Sequence, residues 1–364
     1  MKRGKKNMVN FRARLEIVSL LCLCMWGRAS AAPIEVPVMT QNLYLGADAT
    51  PVLQNPSLTT ITAAYSSVIA NNFPARAAAI ATEASNSGGP LLIGLQEAEI
   101  ITAPNQPTLD YAQILINALA SRGLNYTEAG VHTGFQLTAA GFSLTDQEVV
   151  LARAGVPGFT ITGSEAHTFA NQSLFQTPLG AFSPQRGYVL VNASLDGVPF
   201  QFVSTHLDET HSSAQALQAG EILAELNTSN EPQLVVGDFN ANPTQSPFTY
   251  AEMVAAGFTD VAAALGETGP TCCQPSDLDN PVSELTNRYD YVFERGFSSL
   301  DEALLVGNTT PFEDMRPFWP SDHAGLIAAV NLSAVVGTVS EPSSGALFVI
   351  ATFLLGALKL RTRP

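Results

Sequence analysis

The chain predicts an α/β domain in which two strand-rich halves, each with flanking helices, close on one core. Three observations carry this. Residues 36–42 read as a strand, 58–71 and 77–85 as helices and 91–96 as a second, buried strand, an order that suits a crossover unit. From residue 126 the apolar period shortens to that of strands, with candidates at 126–131, 147–152, 159–163, 187–192 and 200–205. A helix over 214–226 then leads through Asn-Thr-Ser-Asn-Glu-Pro into Leu234-Val235-Val236-Gly237, a β-branched run that stops abruptly. No repeat of solenoid length and no interior linker divides the chain.

The elements follow in order. Thr40 and Asn42 leave one face of the first strand, because strand side chains alternate. Residues 43–55 read as a loop, and Phe73-Pro74-Ala75-Arg76 leads into the second helix, which Ser87-Gly88-Gly89-Pro90 ends. The strand over 91–96 delivers Gln96 and Glu97 at its tip. Over 109–122, Ile114, Leu115, Ala118 and Leu119 recur at helical spacing. The pivotal stretch is Gly237-Asp238-Phe239-Asn240: in extended backbone Asp238 and Asn240 share a face while Phe239 turns into packing. A carboxylate beside a carboxamide suits a site that orients a water and holds an oxyanion. The same Gly-Asp-x-Asn also suits a plain turn.

The ends read separately. Lys2, Arg3, Lys5, Lys6, Arg12 and Arg14 precede an apolar run over 17–26 and then Ala29-Ser30-Ala31. This is the layout of a secretory signal peptide, residues 1–31, cleaved after Ala31 or Ala32, and its apolar run is too short to span a membrane. At the other end Ser340-Glu341-Pro342-Ser343 opens an uncharged stretch closed by Lys359, Arg361 and Arg363, a pattern that leaves the body outside the cell. Over 340–364 it resembles the bacterial PEP-CTERM sorting signal, with Ser340 where that pattern has Val or Thr. The resemblance implies a short transmembrane helix, processing by an exosortase-type protease and an exported, surface-associated body; a simple membrane anchor is the alternative. All four lysines lie in the two ends, and the body keeps seven arginines against 30 acidic residues. So acidic a chain has no broad basic surface for capturing long nucleic acid, although one arginine or a divalent cation can serve a site locally.

Cys272 and Cys273 are neighbours in the body and form a vicinal disulfide, free thiols or an interchain pair; no metal or nucleophile spacing surrounds them. His132 and His167 lie in turn-rich segments and read as structural or solvated, and His211 as a cap or surface group.

Polar residues recur at the C-terminal ends of the strands, the usual place for an open α/β site: Asn42, Glu97, Thr205-His206, Asp238, Asn240, Asp290 and Asp322-His323. Thr-Gln-Asn-Leu-Tyr from 40, Gly-Leu-Gln-Glu from 94, Ser-Thr-His-Leu from 204, Gly-Asp-Phe-Asn from 237, Arg-Tyr-Asp-Tyr-Val-Phe from 288 and Ser-Asp-His-Ala-Gly-Leu from 321 appear in the order of the endonuclease/exonuclease/phosphatase superfamily. Six short motifs in sequence, over 36–333, carry that resemblance.

It implies a four-layered α/β sandwich of two mixed β-sheets and metal-dependent attack of water on a phosphoester. By position, Glu97 resembles the main ligand of Mg²⁺ or Mn²⁺, with Asn42 and Asp322 on the metal side. Asp238 matches the group that positions or deprotonates water, Asn240 and His206 match phosphate donors, and Asp290 pairs with His323. Arg186 is either a phosphate contact or a surface ion pair. Tyr44 stands where some nucleases of the superfamily carry a second carboxylate, which leaves a second metal site without its ligand. The implied substrate is extracellular DNA or, alternatively, a lipid headgroup or a small sugar or inositol phosphate, as for a sphingomyelinase- or inositol-phosphatase-like hydrolase. A non-catalytic surface or matrix protein, and any stable protein partner, lack a signature in the sequence: every core motif residue is present.

Overall fold

The computed structural model describes residues 33–333, apart from 179, 246 and 314–316. The predicted signal peptide and sorting tail lie outside the described residues, among which no helix is long and apolar enough to cross a membrane.

Strand β1 (Ile34–Asn42) leads into α1 (Thr50–Gln54), α2 (Leu58–Ala70) and α3 (Phe73–Asn86), and the chain returns as β2 (Leu92–Gln96), parallel to β1. α1 interrupts the predicted loop; its Pro51 sits in the first turn, where a missing N–H is harmless. Pro74 does the same for α3, which therefore starts four residues before the position predicted from its apolar spacing. Ser57 and Thr60 cap α2 reciprocally. After β3 (Ile100–Thr102) and β4 (Leu109–Asp110), Asp110 accepts from Gln113 N and starts α4 (Tyr111–Ala120). β5 (Tyr126–Ala139) and β6 (Phe142–Arg153) form a hairpin longer than predicted, turning at Ala140 and Gly141, both at positive φ.

β7 (Phe159–Thr168) opens the second sheet, followed by a ribbon of β8 (Phe175–Thr177) and β9 (Gly180–Phe182). β10 (Gly187–Leu195) and β11 (Val198–His206) form a hairpin, α5 (Ser212–Leu226) crosses over, and β12 (Gln233–Asp238) lies parallel to β11. α6 (Pro247–Ala255), β13 (Thr259–Asp260) and α7 (Val261–Leu265) precede β14 (Asp290–Arg295), antiparallel to β12. The chain then rejoins the first sheet as β15 (Ser299–Val306), passes a ribbon of β16 (Phe312–Glu313) and β17 (Pro317–Phe318), and ends as β18 (Gly325–Leu332), antiparallel to β1.

The eight-stranded sheet has the order β15-β18-β1-β2-β6-β3-β4 with β5 on β6, and the six-stranded sheet the order β13-β14-β12-β11-β10-β7. Val36, Val38 and Val150 of the first share a core with Val191, Phe200, Phe202 and Val236 of the second. Helices α2–α4 cover the first sheet's outer face through Val68, Ile80, Leu115 and Leu119, and α5 and α6 cover the second through Ile222, Leu223 and Met253. The result is the expected four-layered sandwich of two mixed sheets. Strands buried on both faces explain the continuous apolar run before Asp238, each such side chain contributing about 1.5–3 kcal/mol on burial.

Near one edge the sheets approach closely. A Cβ on Gly94 of β2 would lie 2.6 Å from Val236 Cγ2 of β12, and Gln96 Nε2 donates across the gap to Ser204 Oγ at 3.1 Å. Gly237 has φ +143°, and a Cβ there would overlap Thr205 O, so only glycine lets β12 reach Asp238 in this register.

Candidate active site

Strand register gathers the motif residues at that edge. β11 sets His206 beside Asp238, β14 sets Asp290 beside Asp238, and β1 sets Asn42 beside Gln96, with Glu97 following. The sequence places all of them at C-terminal strand ends, which holds only for β1, β2, β11 and β12. Asp290 is the first residue of β14, and Asp322 and His323 precede β18. Both strands run antiparallel to their neighbours, so their N-terminal ends reach the same edge.

Asp238 lies at the centre. Its Oδ1 accepts Asn240 N at 2.8 Å; its Oδ2 accepts Asn42 Nδ2 at 3.1 Å and faces His206 Nε2 at 3.5 Å and His323 Nε2 at 3.6 Å. Burial lifts this carboxyl to about 6, although His323 and the two amide donors pull it down. β12 ends at Asp238 and Asn240 has φ +49°, so a turn, rather than strand alternation, carries Asn240. The turn and the site are one structure. Asn240 Nδ2 donates to Leu207 O at 3.1 Å, while Phe239 packs against Tyr291 and Phe293 as expected. Glu97 and Tyr44 also adopt positive φ, at 52° and 59°, which for non-glycine residues costs about 1–3 kcal/mol each.

His323 Nδ1 meets Asp290 Oδ2 at 2.8 Å. Burial acts to lower this imidazole's pKa, but Asp290, Asp238 and Asp322 outweigh it and raise it well above the usual histidine range, so His323 is cationic. His206 is the opposite case. Burial, Arg186 and His323 hold it well below that range, and Arg186 Nη1 donates to its Nδ1 at 2.8 Å, which leaves the proton on Nε2, facing Asp238. Arg186 is only 6% exposed and also meets Asp146 at 3.4 Å and Glu209 at 3.8 Å. It is therefore no surface ion pair: it orients His206 from inside an acidic shell.

On the other side of Asp238, Glu97 accepts Asn42 Nδ2 at 3.1 Å and Leu45 N at 2.9 Å. Asn42 Oδ1 accepts Tyr44 N at 2.9 Å, so the carboxamide turns its nitrogen to the two carboxylates and ties Glu97 to Asp238. Half-buried Asp322 is pushed up to about 7 by burial and by Glu97 and Asp238, against His323 and Arg76. Glu97 and Asp238 both push Asp322 up while Arg76 and His323 offset them, and carboxylates that repel one another in this way suit a divalent cation with oxygen ligands. Asp238, Asp290 and His323 also place ligand atoms within 4.8 Å of one another, although the His323–Asp290 hydrogen bond already occupies two of them.

Several residues the sequence does not single out hold this arrangement. Buried Arg76 donates to Leu43 O at 2.6 Å, Tyr44 O at 3.0 Å and Pro320 O at 3.1 Å, tying the end of β1 to the segment before Asp322. Ser321 Oγ donates to Asn42 O at 2.7 Å. Phe-Pro-Ala-Arg reads from sequence only as a helix entry. Its one usable signal is an arginine on an otherwise alanine-rich, buried face. Cys272 and Cys273 are joined as a disulfide, so neither offers a thiolate to a metal, and Cys273 Sγ lies 3.9 Å from His323 Nε2 at the site wall. His132 is buried between Glu148 and Thr168, His167 stacks on Tyr188, and exposed His211 bonds Thr210 and Ser173. None of these three joins the cluster around Asp238.

The sequence profile described as Endonuclease/Exonuclease/phosphatase family matches residues 39–323. Among solved structures the chain is similar to an endonuclease/exonuclease/phosphatase family protein from Bacteroides thetaiotaomicron, with 17% identity, a TM-score of 0.54, and 83% of this chain and 100% of that one covered. It is similar to a humanized D. rerio TDP2 at 18% identity and TM-score 0.51, covering 82% and 99%. D. rerio TDP2 complexed with single strand DNA product gives 16% identity and TM-score 0.50 over 82% and 99%. At these identities the structural likeness is one of fold, and no curated protein matches the chain. The profile runs from Met39 in β1 to His323 before β18 and takes in every residue around Asp238; the chain belongs to the endonuclease/exonuclease/phosphatase family, whose members are in general metal-dependent phosphoesterases.

Proposed function

We propose that the chain is an exported, divalent-metal-dependent phosphoesterase that directs water at a phosphodiester or phosphomonoester. The observation that carries this is the charge layout around Asp238: a cationic histidine and a neutral one both face its Oδ2, and Glu97, tied to it through Asn42, and Asp322 supply further carboxylates. Glu97 and Asp322 would hold the ion, with Asn42 steadying Glu97. A bound Mg²⁺ or Mn²⁺ supplies neutralisation of the phosphoryl oxygens. Asp238 orients the water and takes its proton as the oxygen bonds to phosphorus and the ester P–O bond breaks. The leaving alkoxide collects a proton from His323, which Asp238, 3.6 Å away, resupplies. Asp290 holds His323 by Nδ1, and the Nε2–H of His206 and the free amide hydrogen of Asn240 serve the phosphoryl oxygens.

A polynucleotide is the second reading, supported by the likeness to a TDP2 solved with a single strand DNA product. Export, with processing by an exosortase-type protease, rests on the leader and tail patterns. The test is hydrolysis of bis-p-nitrophenyl phosphate, a phosphomonoester and plasmid DNA with Mg²⁺ and with chelator. Metal-dependent release of product supports the reading; inactivity on all three by the folded protein rejects it.

A further inference from the structure

Cys272 and Cys273 stand in the wall of the site, and the hydrolytic chemistry above uses neither. Their disulfide joins adjacent residues. A bond between neighbours closes almost no loop, so it constrains the unfolded chain little and adds little stability by that route. The segment is held without it. Cys272 N donates to Asn287 O and Asn287 N to Cys272 O, each at 2.8 Å, while Gln274 N donates to Asp322 O and Ala324 N to Thr271 O, also at 2.8 Å. Thr271 Oγ1 accepts Tyr289 N at 2.9 Å and Asp290 N at 3.1 Å. The backbone of 271–274 is thus laced between the Asp290 motif and the Asp322-His323 motif, and opening the S–S bond leaves that lacing in place.

The group that opening sets free is chemically specific. Cys272 is buried, whereas Cys273 is exposed, with Sγ 3.9 Å from His323 Nε2. The other ring nitrogen of His323 is held by Asp290 at 2.8 Å. A thiol facing one nitrogen of an imidazole whose second nitrogen is bonded to a carboxylate is an activated thiol: the base is within reach of sulfur and a third group orients the base. No other cysteine lies among the described residues.

We propose that Cys273 is a redox-modification site that gates the reaction at His323, closed off in the disulfide and freed as a thiolate by a dithiol reductant. The reductant's thiolate attacks the exposed Cys273 sulfur, the S–S bond breaks, and its electron pair goes to Cys272, which takes a proton. The reductant's second sulfur then attacks its first, closing a cyclic disulfide and releasing Cys273 as a thiolate, so the protein gains two electrons. That thiolate accepts the Nε2–H of His323, the hydrogen the leaving alkoxide needs, and the reduced chain is the slower enzyme. Glutathione disulfide reverses the exchange. The gating rests on the phosphoesterase reading; the sulfur–imidazole pair does not.

The test uses the full chain with Mg²⁺ and bis-p-nitrophenyl phosphate, before and after dithiothreitol. Reduction should lower kcat by about tenfold or more with KM held within about twofold, and glutathione disulfide should restore it. Cys273→Ser should be indifferent to dithiothreitol, whereas Cys272→Ser, which leaves a lone thiol at His323, should be slow without any reductant. A disulfide that merely braces the wall makes both single variants and the reduced chain equal; that equality, or an unchanged kcat on reduction, overturns the gate. Should no ester react, or Cys272→Ser fail to fold, alkylation decides. At about pH 6, iodoacetamide should label Cys273 of the reduced chain about tenfold faster than in reduced His323→Gln, the site of labelling being read by mass spectrometry. Equal labelling rates overturn the pair, whatever becomes of the phosphoesterase reading.

Discussion

Glu83 offers a test of the electrostatics that is independent of catalysis. It lies on α3, 8% exposed, with Oε2 unpartnered and the other oxygen near Gly307, whose N–H donates to it. Gly307 packs close to Pro320, which leads into Ser321, Asp322 and His323, so this contact supports the site from behind. Burial raises the carboxyl from 4.5 to about 8, against the Gly307 bond. The folded state therefore binds this proton more tightly than the unfolded chain. Stability from it is fully present below 4.5, is lost as pH rises toward about 8, and changes no further above that. At about 1.36 kcal/mol per pH unit the full loss is on the order of 5 kcal/mol, a large share of a typical 5–15 kcal/mol.

Glu83→Gln keeps the shape and removes the titration. Urea unfolding of wild type and variant should agree near about pH 5 and diverge by about pH 8.5, with the variant more stable by at least about 2 kcal/mol. With a slope near 3 kcal/mol/M that is a midpoint shift of roughly 0.7 M. The difference between the two proteins cancels every other titrating group. A midpoint gap that stays constant across this range would falsify the assignment of a buried, proton-binding Glu83.

Other outcomes concern the site. Asp290→Asn and His323→Ala should each lower kcat by about 10²–10⁴, and in Asp290→Asn the histidine should titrate at lower pH, because its strongest charge partner is gone; full activity in either variant sinks the His323 role. Arg186→Lys should cost about tenfold or more in kcat, since a single ammonium cannot hold both Asp146 and His206; an unchanged pH profile would count against the His206 tautomer argued above. Glu97→Gln should raise the Mg²⁺ concentration for half-maximal activity by roughly tenfold or more, while an unaltered metal titration would move the ion elsewhere in the cluster.

Much of the fold is legible in order along the chain. The runs around Val38, Ile93, Val203 and Val235 are buried on both faces, and a continuous apolar strand announces itself. The turn signals after Ser85 and before Leu91 work because they are local. Elements with weaker local signals are misread. α1 hides in a segment whose only helical cue is Pro51, β5 extends to a turn at Ala140 and Gly141 that has no Asn-Gly or Asp-Gly pair, and β4 takes two residues that helical spacing claims.

By itself the sequence determined the strand ends that carry chemistry: Asn42, Glu97, His206, Asp238, Asp290 and His323 are visible because each closes or opens an apolar run. Only the tertiary structure decided what those residues are to one another. The antiparallel direction of β14 and β18 brings Asp290 and His323 to the edge reached by parallel β11 and β12. The close approach at Gly94 sets two sheets face to face there, and folding alone places Arg186 on His206, Arg76 under Tyr44, and Glu99 and Asp146 in the lining of one mostly aliphatic cavity. The reason is range: periodicity and turn chemistry act over a few residues, whereas a charge is positioned by strand direction, register and the packing of chains far apart in sequence.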